Sequence, residues 1–459
     1  MINTRISAGI LSGLIAVGNL FAAGSWLIYG DQSCIIRKDI LNTGASYNHP
    51  ANIEQLANGD LIIVTVAGQS EGESTRIGSF RSANNGDSWG DLINITPVQE
   101  AFDPTLTQAE NGDVYCFYYR GGGGSCCNNH KFRVSTDNGD TWGSENDVSG
   151  MAGLSDDELQ AGEQSNCLRH PNGDWLCGWS ETYNGGQGYT SHIPKGKLGS
   201  PSDWTKHFGI DQFWNPDFMV RNPSNVVNGH YQEIIAVMRT QFHNCCKGKF
   251  AYSTDGGESW GGFTNIGFVG GGVGCTNTAN SANDAAPTGV SLDLDGGPLL
   301  GWHVMASGGE ARYCTESGCT KARCERYFMR VFVSNTGDAD DWEEKLELRE
   351  ESGGNENADC SIIQAADGKL HLIWIGRGSS VVRYAKIAPG ILIGQTTRAI
   401  QPRAAQTNVS RAARGRVRTL YTVRGEFITS PAAHRSAPGV VIERRGSGLI
   451  LRVAGTPAH

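Results

Sequence analysis

Six times along this chain an alternating run of apolar and polar residues reaches a tight turn and is followed by another such run. The clearest are Ile53 to Val64 about Asn58-Gly-Asp60, Leu106 to Phe117 about Asn111-Gly-Asp113, and Cys167 to Trp179 about Asn172-Gly-Asp174. A period of two predicts half-buried strands. Asn-Gly between them predicts hairpins, because both residues tolerate the positive φ of the tightest connection. Later versions turn near Asn228-Gly229, Asp295-Gly-Gly297 and Asp367-Gly-Lys369, which makes six hairpins. Each supplies two inner strands of a four-stranded unit, and Arg76 to Arg81 and Lys131 to Val134 are third strands of the first two. Ser33 to Ile40 is expected to pair with Val381 to Ile387 and so join the last unit to the first.

A second phrase recurs between the hairpins: Ser82-Ala-Asn-Asn-Gly-Asp-Ser-Trp89, Ser135-Thr-Asp-Asn-Gly-Asp-Thr-Trp142 and Ser253-Thr-Asp-Gly-Gly-Glu-Ser-Trp260. Ser334-Asn-Thr-Gly-Asp-Ala-Asp-Asp-Trp342 is a worn fourth copy with an insertion. Hydroxyl and carboxylate or amide groups can hydrogen-bond the turn backbone, Gly supplies positive φ, and Trp anchors the turn on the sheet. One unit repeated at roughly fifty to sixty residues is the signature of a propeller or solenoid.

This phrase resembles the Asp-box, or BNR repeat, of the sialidase-like superfamily. The resemblance implies an all-β, six-bladed β-propeller of four-stranded antiparallel blades over residues 33–390. The run His49-Pro-Ala-Asn-Ile-Glu-Gln-Leu-Ala-Asn-Gly-Asp60 and the later Ala358-Asp-Cys-Ser-Ile-Ile-Gln-Ala-Ala-Asp-Gly-Lys-Leu-His371 resemble its broader, exo-sialidase-like members. Working sialidases open blade one with Arg-Ile-Pro and bring a nucleophilic Tyr from the start of the last blade. Here those places read Asn48-His49-Pro50 and Ala358-Asp359-Cys360, so the resemblance is to a divergent member.

Composition narrows the setting. With 62 Gly among 459 residues, short strands and many turns are expected of one large domain. Arg5, the apolar run Ile6 to Ala23 and the small residues Ala22-Ala-Gly24 predict a signal peptide at 1–24 and a secreted product. Trp26-Leu-Ile-Tyr29 prolongs the apolar stretch and leaves an uncleaved anchor as the competing reading. Thirteen cysteines fit an oxidising compartment, and Cys167 and Cys177 stand almost symmetrically about their turn. Cys314, Cys319 and Cys324 could bind zinc, but lack CxxC spacing, so no metal and no cofactor are assigned.

The formal charge of −9 is uneven: from Gln395 onward eleven Arg against Glu426 and Glu443 give +9, leaving −18 for the rest. An acidic body argues against nucleic acid as the partner. The Arg/Ala bias of residues 395–459 predicts disorder. Asn94-Ile-Thr96 and Asn408-Val-Ser410 are glycosylation sequons.

In a propeller, residues eight or nine before each inner turn approach the ligand-binding mouth. Counting back gives His49, Asp103, Glu163 and Asp359, with Asn215, Asp217 and Asp284 less closely placed. Counting forward gives Glu71 and Glu73, Tyr119 and Arg120, Glu181 with Tyr183, Arg239 with His243, His303, and Arg377. Three arginines from separate blades would grip a sugar carboxylate, so the expected partner is an acidic carbohydrate or polysaccharide. His303, after Trp302 in an apolar strand, reads as a core histidine, and Trp175, Trp179, Trp302 and Trp374 as packing between blades.

Three functions compete. A glycoside hydrolase would use Glu71 or Glu73 as acid with Asp103 or Asp359 as partner, Arg120, Glu163, Asp217, Arg239 and Arg377 holding the sugar. A uronate lyase would use His49 or Tyr119 as base. A glycan-binding propeller would use the same rim without turnover.

Overall fold

The computed structural model describes residues 26–30, 32–70, 74–98, 100–120, 130–148, 167–179, 187–211, 214–239, 248–265, 288–294, 297–308, 328–350, 358–376, 381–394, 420–421, 427–428, 440–445 and 448–453, some strand residues by backbone alone. Two units divide the chain, residues 1–400 and 401–459.

The first unit is a six-bladed β-propeller. Blade one comprises Tyr47–Gln55, Leu61–Gly68, Arg76–Ser82 and Ile93–Asn94. Blade two comprises Ala101–Gln108, Val114–Arg120, His130–Ser135 and Asn146–Asp147. Blade three runs Leu168–Arg169, Trp175–Trp179, Gln187–Ile193 and Thr205–Asp211. Blade four follows with Trp214–Val220, Ile234–Arg239, Gly248–Ser253 and Gly261–Asn265. In blade five, Thr288–Leu294, Gly297–Gly308, Phe328–Ser334 and Glu343–Glu350 gain a fifth strand, Trp26–Gly30, outside the last. The apolar Trp26-Leu-Ile-Tyr29 is therefore blade, not the tail of a helix. Residues 1–25 lie outside the described residues.

Blade six is Ala358–Gln364, Leu370–Gly376 and Val381–Ile387, completed by Ile35–Leu41 from the start of the chain. The closure read from the sequence is thus observed, and Ala388 N–H reaches Cys34 O at 2.7 Å beside it.

Equivalent polar side chains on the inner strands tie neighbouring blades. Asn52 Oδ1 accepts Leu106 N–H at 3.0 Å, Thr288 Oγ1 accepts Ile362 N–H at 3.2 Å, and Ser361 Oγ accepts Ile53 N–H at 3.3 Å. Three glutamines nearer the turns make a second row. Gln108 Oε1 accepts Ala57 N–H at 2.5 Å and Gln55 Oε1 accepts Ala366 N–H at 2.7 Å, while Gln55, Gln108 and Gln364 donate to the Gly carbonyls of their own turns. Buried backbone groups that face another blade are satisfied in this way.

The four repeated phrases cap the outer hairpins. Ser135 Oγ accepts Gly139 N–H at 2.7 Å, and Asp137 Oδ1 accepts Thr141 N–H at 2.8 Å; the first and third copies match. The Thr141 hydroxyl first, then the Thr141 N–H and the Ser135 hydroxyl, donate to the Asp137 carboxylate and hold it down at about 2. In the worn copy Asp341, from the far side of the insertion, accepts from Ser334, Asn335 and Thr336 instead. Each turn also packs on the preceding blade: Gly139 has φ 88°, and a Cβ there would stand 2.6 Å from Ile62 Cδ1.

Two sequence expectations need amendment. Asn228-Gly229 is not the inner turn of blade four but the tip of a two-stranded ribbon, Val226–Val227 with His230–Tyr231, inserted into it. Residues 395–459 read as disordered by composition, yet Leu420–Tyr421, Phe427–Ile428, Val440–Arg445 and Gly448–Val453 form a four-stranded sheet. The alternation Val440-Val-Ile-Glu and Gly448-Leu-Ile-Leu carries that strand signal within the Arg-rich background.

Candidate functional site

The inner strands of all four blades whose entry is described lose register at the same level. The shift falls between His49 and Ala51, between Phe102 and Thr105, between Trp214 and Asp217, and between Ala358 and Ser361. Three of these bulges contain a proline: Pro50, Pro104 and Pro216. Proline cannot donate to the ladder and is tolerated on an edge strand or at a bulge. Such bulges re-aim side chains, here at the end of the propeller opposite the Asn-Gly turns.

His49 and Asp103 sit at two of these bulges on adjoining blades. His49 Nδ1 lies 3.9 Å from Asp103 Oδ1, with the imidazole a quarter exposed and the carboxylate almost covered. Tyr47 stacks on His49 with centroids 5.9 Å apart, and Phe102 on Tyr119 at 5.3 Å. Beneath them buried Asn48 accepts the Thr43 hydroxyl at 2.6 Å. Asp103 has φ 47° immediately before Pro104. That is a left-handed backbone few side chains adopt, and a following proline restricts it further. A backbone held in such a region marks a place where position outweighs local comfort. Asp359 occupies the equivalent bulge of blade six, by backbone.

Two expected site residues are placed elsewhere. Asp217 is 1 % exposed and lies in the seam between blades four and five. It accepts Phe218 N–H at 2.9 Å, Gly289 N–H at 3.0 Å and the Thr288 hydroxyl. The ribbon insertion explains the displacement: the inner turn starts at Arg221, whose N–H bonds Glu233 O at 2.9 Å. Asp217 therefore stands at the level of Asn52 and Ser361, deeper than the mouth.

Arg120 is committed to Glu145 at 2.9 Å, and Glu145 also accepts the Tyr118 hydroxyl at 2.7 Å. Tyr118 and Arg120 share the blade face turned toward blade one, so this guanidinium serves blade two rather than a three-arginine clamp. Glu71, Glu73, Glu163, Arg377, Glu181, Tyr183, His243 and Asp284 lie outside the described residues, as do the side chains of Arg239, Asn215 and Asp359.

The buried histidine and the tryptophans follow the sequence. His303 is buried with Nδ1 3.1 Å from Ser291 Oγ, and burial, then the charge of Arg221, pushes it down to about 4. Trp374 is fully buried, and Trp179 stacks on Trp204 at 5.5 Å. Cys167 and Cys177 are bonded, with Cα atoms 4.5 Å apart. Among the described residues no group of three or more His, Cys, Asp or Glu could hold a metal, and no helix is long and apolar enough to cross a membrane.

One titratable residue was not legible as special. Glu54 lies on the inner strand of blade one and feels Asp217 of blade four, opposite it across the axis. Burial first, and that negative charge second, push its carboxyl up to about 8. The signal was a carboxylate at an inner-strand position that reads Thr107 in blade two, Met219 in blade four and Ile363 in blade six, the last two packed in apolar seams.

No protein-family model matches the chain, and no curated protein does. Solved structures share its fold. A protein of unknown function from Dyadobacter fermentans superposes with TM-score 0.56 at 13 % identity, over 79 % of this chain and 99 % of that one. The Hadza microbial sialidase Hz136 gives 0.55 at 11 %, over 75 % and 66 %. A K499G mutant of NanB sialidase from Streptococcus pneumoniae gives 0.53 at 11 %, over 78 % and 70 %. The chain therefore has the sialidase-like six-bladed propeller fold at great sequence distance.

Proposed function

We propose that this protein is a secreted, sialidase-like glycoside hydrolase that removes a terminal acidic sugar from a glycan or polysaccharide. The observation that carries the reading is the His49 and Asp103 pair at the repeated bulge, in a propeller whose solved likenesses include sialidases. A glycosidase needs a carboxyl group that can give a proton to the leaving oxygen and a second group on the opposite side of the bond. Asp103, nearly covered and held by its backbone, suits a fixed acid or base. Glu71, Glu73 and Asp359 are the carboxylates proposed as its partner, Arg239 and Arg377 the cations proposed for the sugar acid, and Glu163 a further group proposed to bind the sugar. The Asn48-His49-Pro50 entrance puts a titratable ring where the enzymes of this resemblance carry arginine, and Ala358-Asp359-Cys360 stands where they bring a nucleophilic tyrosine, so such a tyrosine is not part of the proposal.

A second reading, lyase cleavage of a uronate-bearing glycan, rests on that same ring. A partly exposed imidazole beside a carboxylate is a suitable base for the proton next to a uronate carboxylate. The masses of the products from sialylated and uronate-bearing oligosaccharides separate the readings. Products whose summed mass exceeds the substrate by one water support the hydrolase; products summing to the substrate mass support the lyase. An unchanged panel with retained binding overturns both in favour of a glycan-binding propeller.

A further inference from the structure

At the turn end, the seam between blades three and four gathers four imidazoles. His170 closes the inner turn of blade three, accepting Gly173 N–H at 2.9 Å through its carbonyl. His192 and His207 come from the third and fourth strands of that blade, and His230 from the inserted ribbon of blade four. Their ring centroids are 4.4 Å apart for His192 and His207 and 4.5 Å for His170 and His230. They are 5.1 Å apart for His192 and His230 and 5.5 Å for His170 and His192.

One carboxylate reaches in among them, Asp174, whose Oδ2 accepts from His230 Nε2 at 2.8 Å. Asp255 and Glu258 face His207 from the repeated phrase of blade four. The Tyr231 ring lies beside His170 at 6.0 Å, and Lys195 and the Arg169–Glu110 ion pair border the Gly173 turn.

The cluster is also where the ribbon docks. Asn172 N–H donates to Gly229 O at 3.1 Å, and Gly256 N–H to Gln232 O at 3.1 Å. Tyr231 N–H donates to His170 Nδ1 at 3.2 Å. That last bond fixes the tautomer: a ring accepting at Nδ1 carries its proton on Nε2. Nε2 is buried without a hydrogen-bond partner among the described residues, in a residue 2 % exposed.

We propose that this cluster is an acid-released latch, in which a proton from solvent taken up at His170 Nδ1 expels the Tyr231 N–H and frees the ribbon 222–233 from blade three. An imidazolium has a proton on both nitrogens, so the Tyr231 N–H···Nδ1 hydrogen bond breaks as the N–H bond at Nδ1 forms. The added charge also faces three neighbouring rings, with Asp174 the carboxylate bonded to His230 and with Asp255 and Glu258 nearer His207. Burial lowers His170 to about 3 and His192 to about 4, and lowers His207 as well. Docked values below the free value mean that the docked state binds fewer protons. Its stability is intact above about pH 6.5 and is lost as pH falls toward the docked values.

Hydrogen exchange of the full chain tests the latch. Between about pH 7.5 and about pH 5, protection of the Tyr231 and Asn172 amides, corrected for intrinsic chemistry, falls roughly tenfold or more. Protection of Ala366 N–H in the blade six and blade one seam stays constant. In His170→Gln the amide oxygen accepts from Tyr231 but does not titrate, so the fall in protection at Tyr231 on acidification becomes several-fold smaller than in the wild type. Equal wild-type protection at both pH values, or a loss shared by Ala366, overturns the proposal whether or not the variant folds.

Discussion

The two ends of this propeller are built on opposite terms. At the turn end the glutamine row bonds turn to turn, and the serine and acid or amide groups of the repeated phrases satisfy the backbone of their own hairpins. Lys386, 6 % exposed, is held there by Asn85 O at 2.8 Å, Asp367 at 3.1 Å and Asp87 at 3.2 Å. Hydrogen bonds from His371 and Lys386 overcome the effect of burial and keep the Asp367 carboxyl down at about 2. At the mouth the inner strands bulge instead, and Asp103 takes a left-handed backbone with a proline behind it. The contrast is one of bonding: the turn end is tied by side-chain to backbone hydrogen bonds between and within blades, while the mouth, where the ligand site is proposed, is marked by bulges and a left-handed Asp103.

Substitutions at each end sharpen this contrast. The largest effect is expected at the mouth. Asp103→Asn tolerates the same backbone and keeps the fold, as an unchanged melting temperature will show, while turnover falls about 10³-fold. At the turn end the order reverses. Ser135→Ala leaves Gly139 N–H without its acceptor in a buried turn, and chemical denaturation should show a loss of about 1 to 3 kcal/mol. Turnover per folded molecule should not change. A fall in turnover there without a loss of stability would break the contrast.

Smaller and pH-dependent is Glu54→Gln, between the two ends. A carboxyl raised to about 8 binds more protons folded than unfolded, so its penalty is absent below about pH 4 and grows as pH rises to about 8. The variant should gain on the order of 2 kcal/mol at about pH 8 and nothing at about pH 4, read from denaturation curves at both.

The same division explains what the sequence made legible. Asn-Gly turns, the serine and tryptophan phrases and the pairing of Ile35–Leu41 with Val381–Ile387 are local or periodic, and the blades follow from them. The glutamine row was not legible, because its partners are 51 and 311 residues away. Register counting placed His49, Asp103 and Asp359 at the bulges, where the lead-in to the turn is short. It failed for Asp217, because the ribbon of residues 222–233 separates the true inner turn from the Asn-Gly that was counted. Arg120 was read from its strand end alone, and only the fold brings Glu145 to it.

The most direct test of the account is to find which end a sugar acid touches. Hydrogen exchange of the full chain, with and without free N-acetylneuraminic acid or glucuronate, should show protection gained at Tyr47–His49 and Ala101–Asp103 and none at the Asn58, Asn111 or Asn172 turns. Protection gained at those turns, with the bulges unchanged, would contradict it.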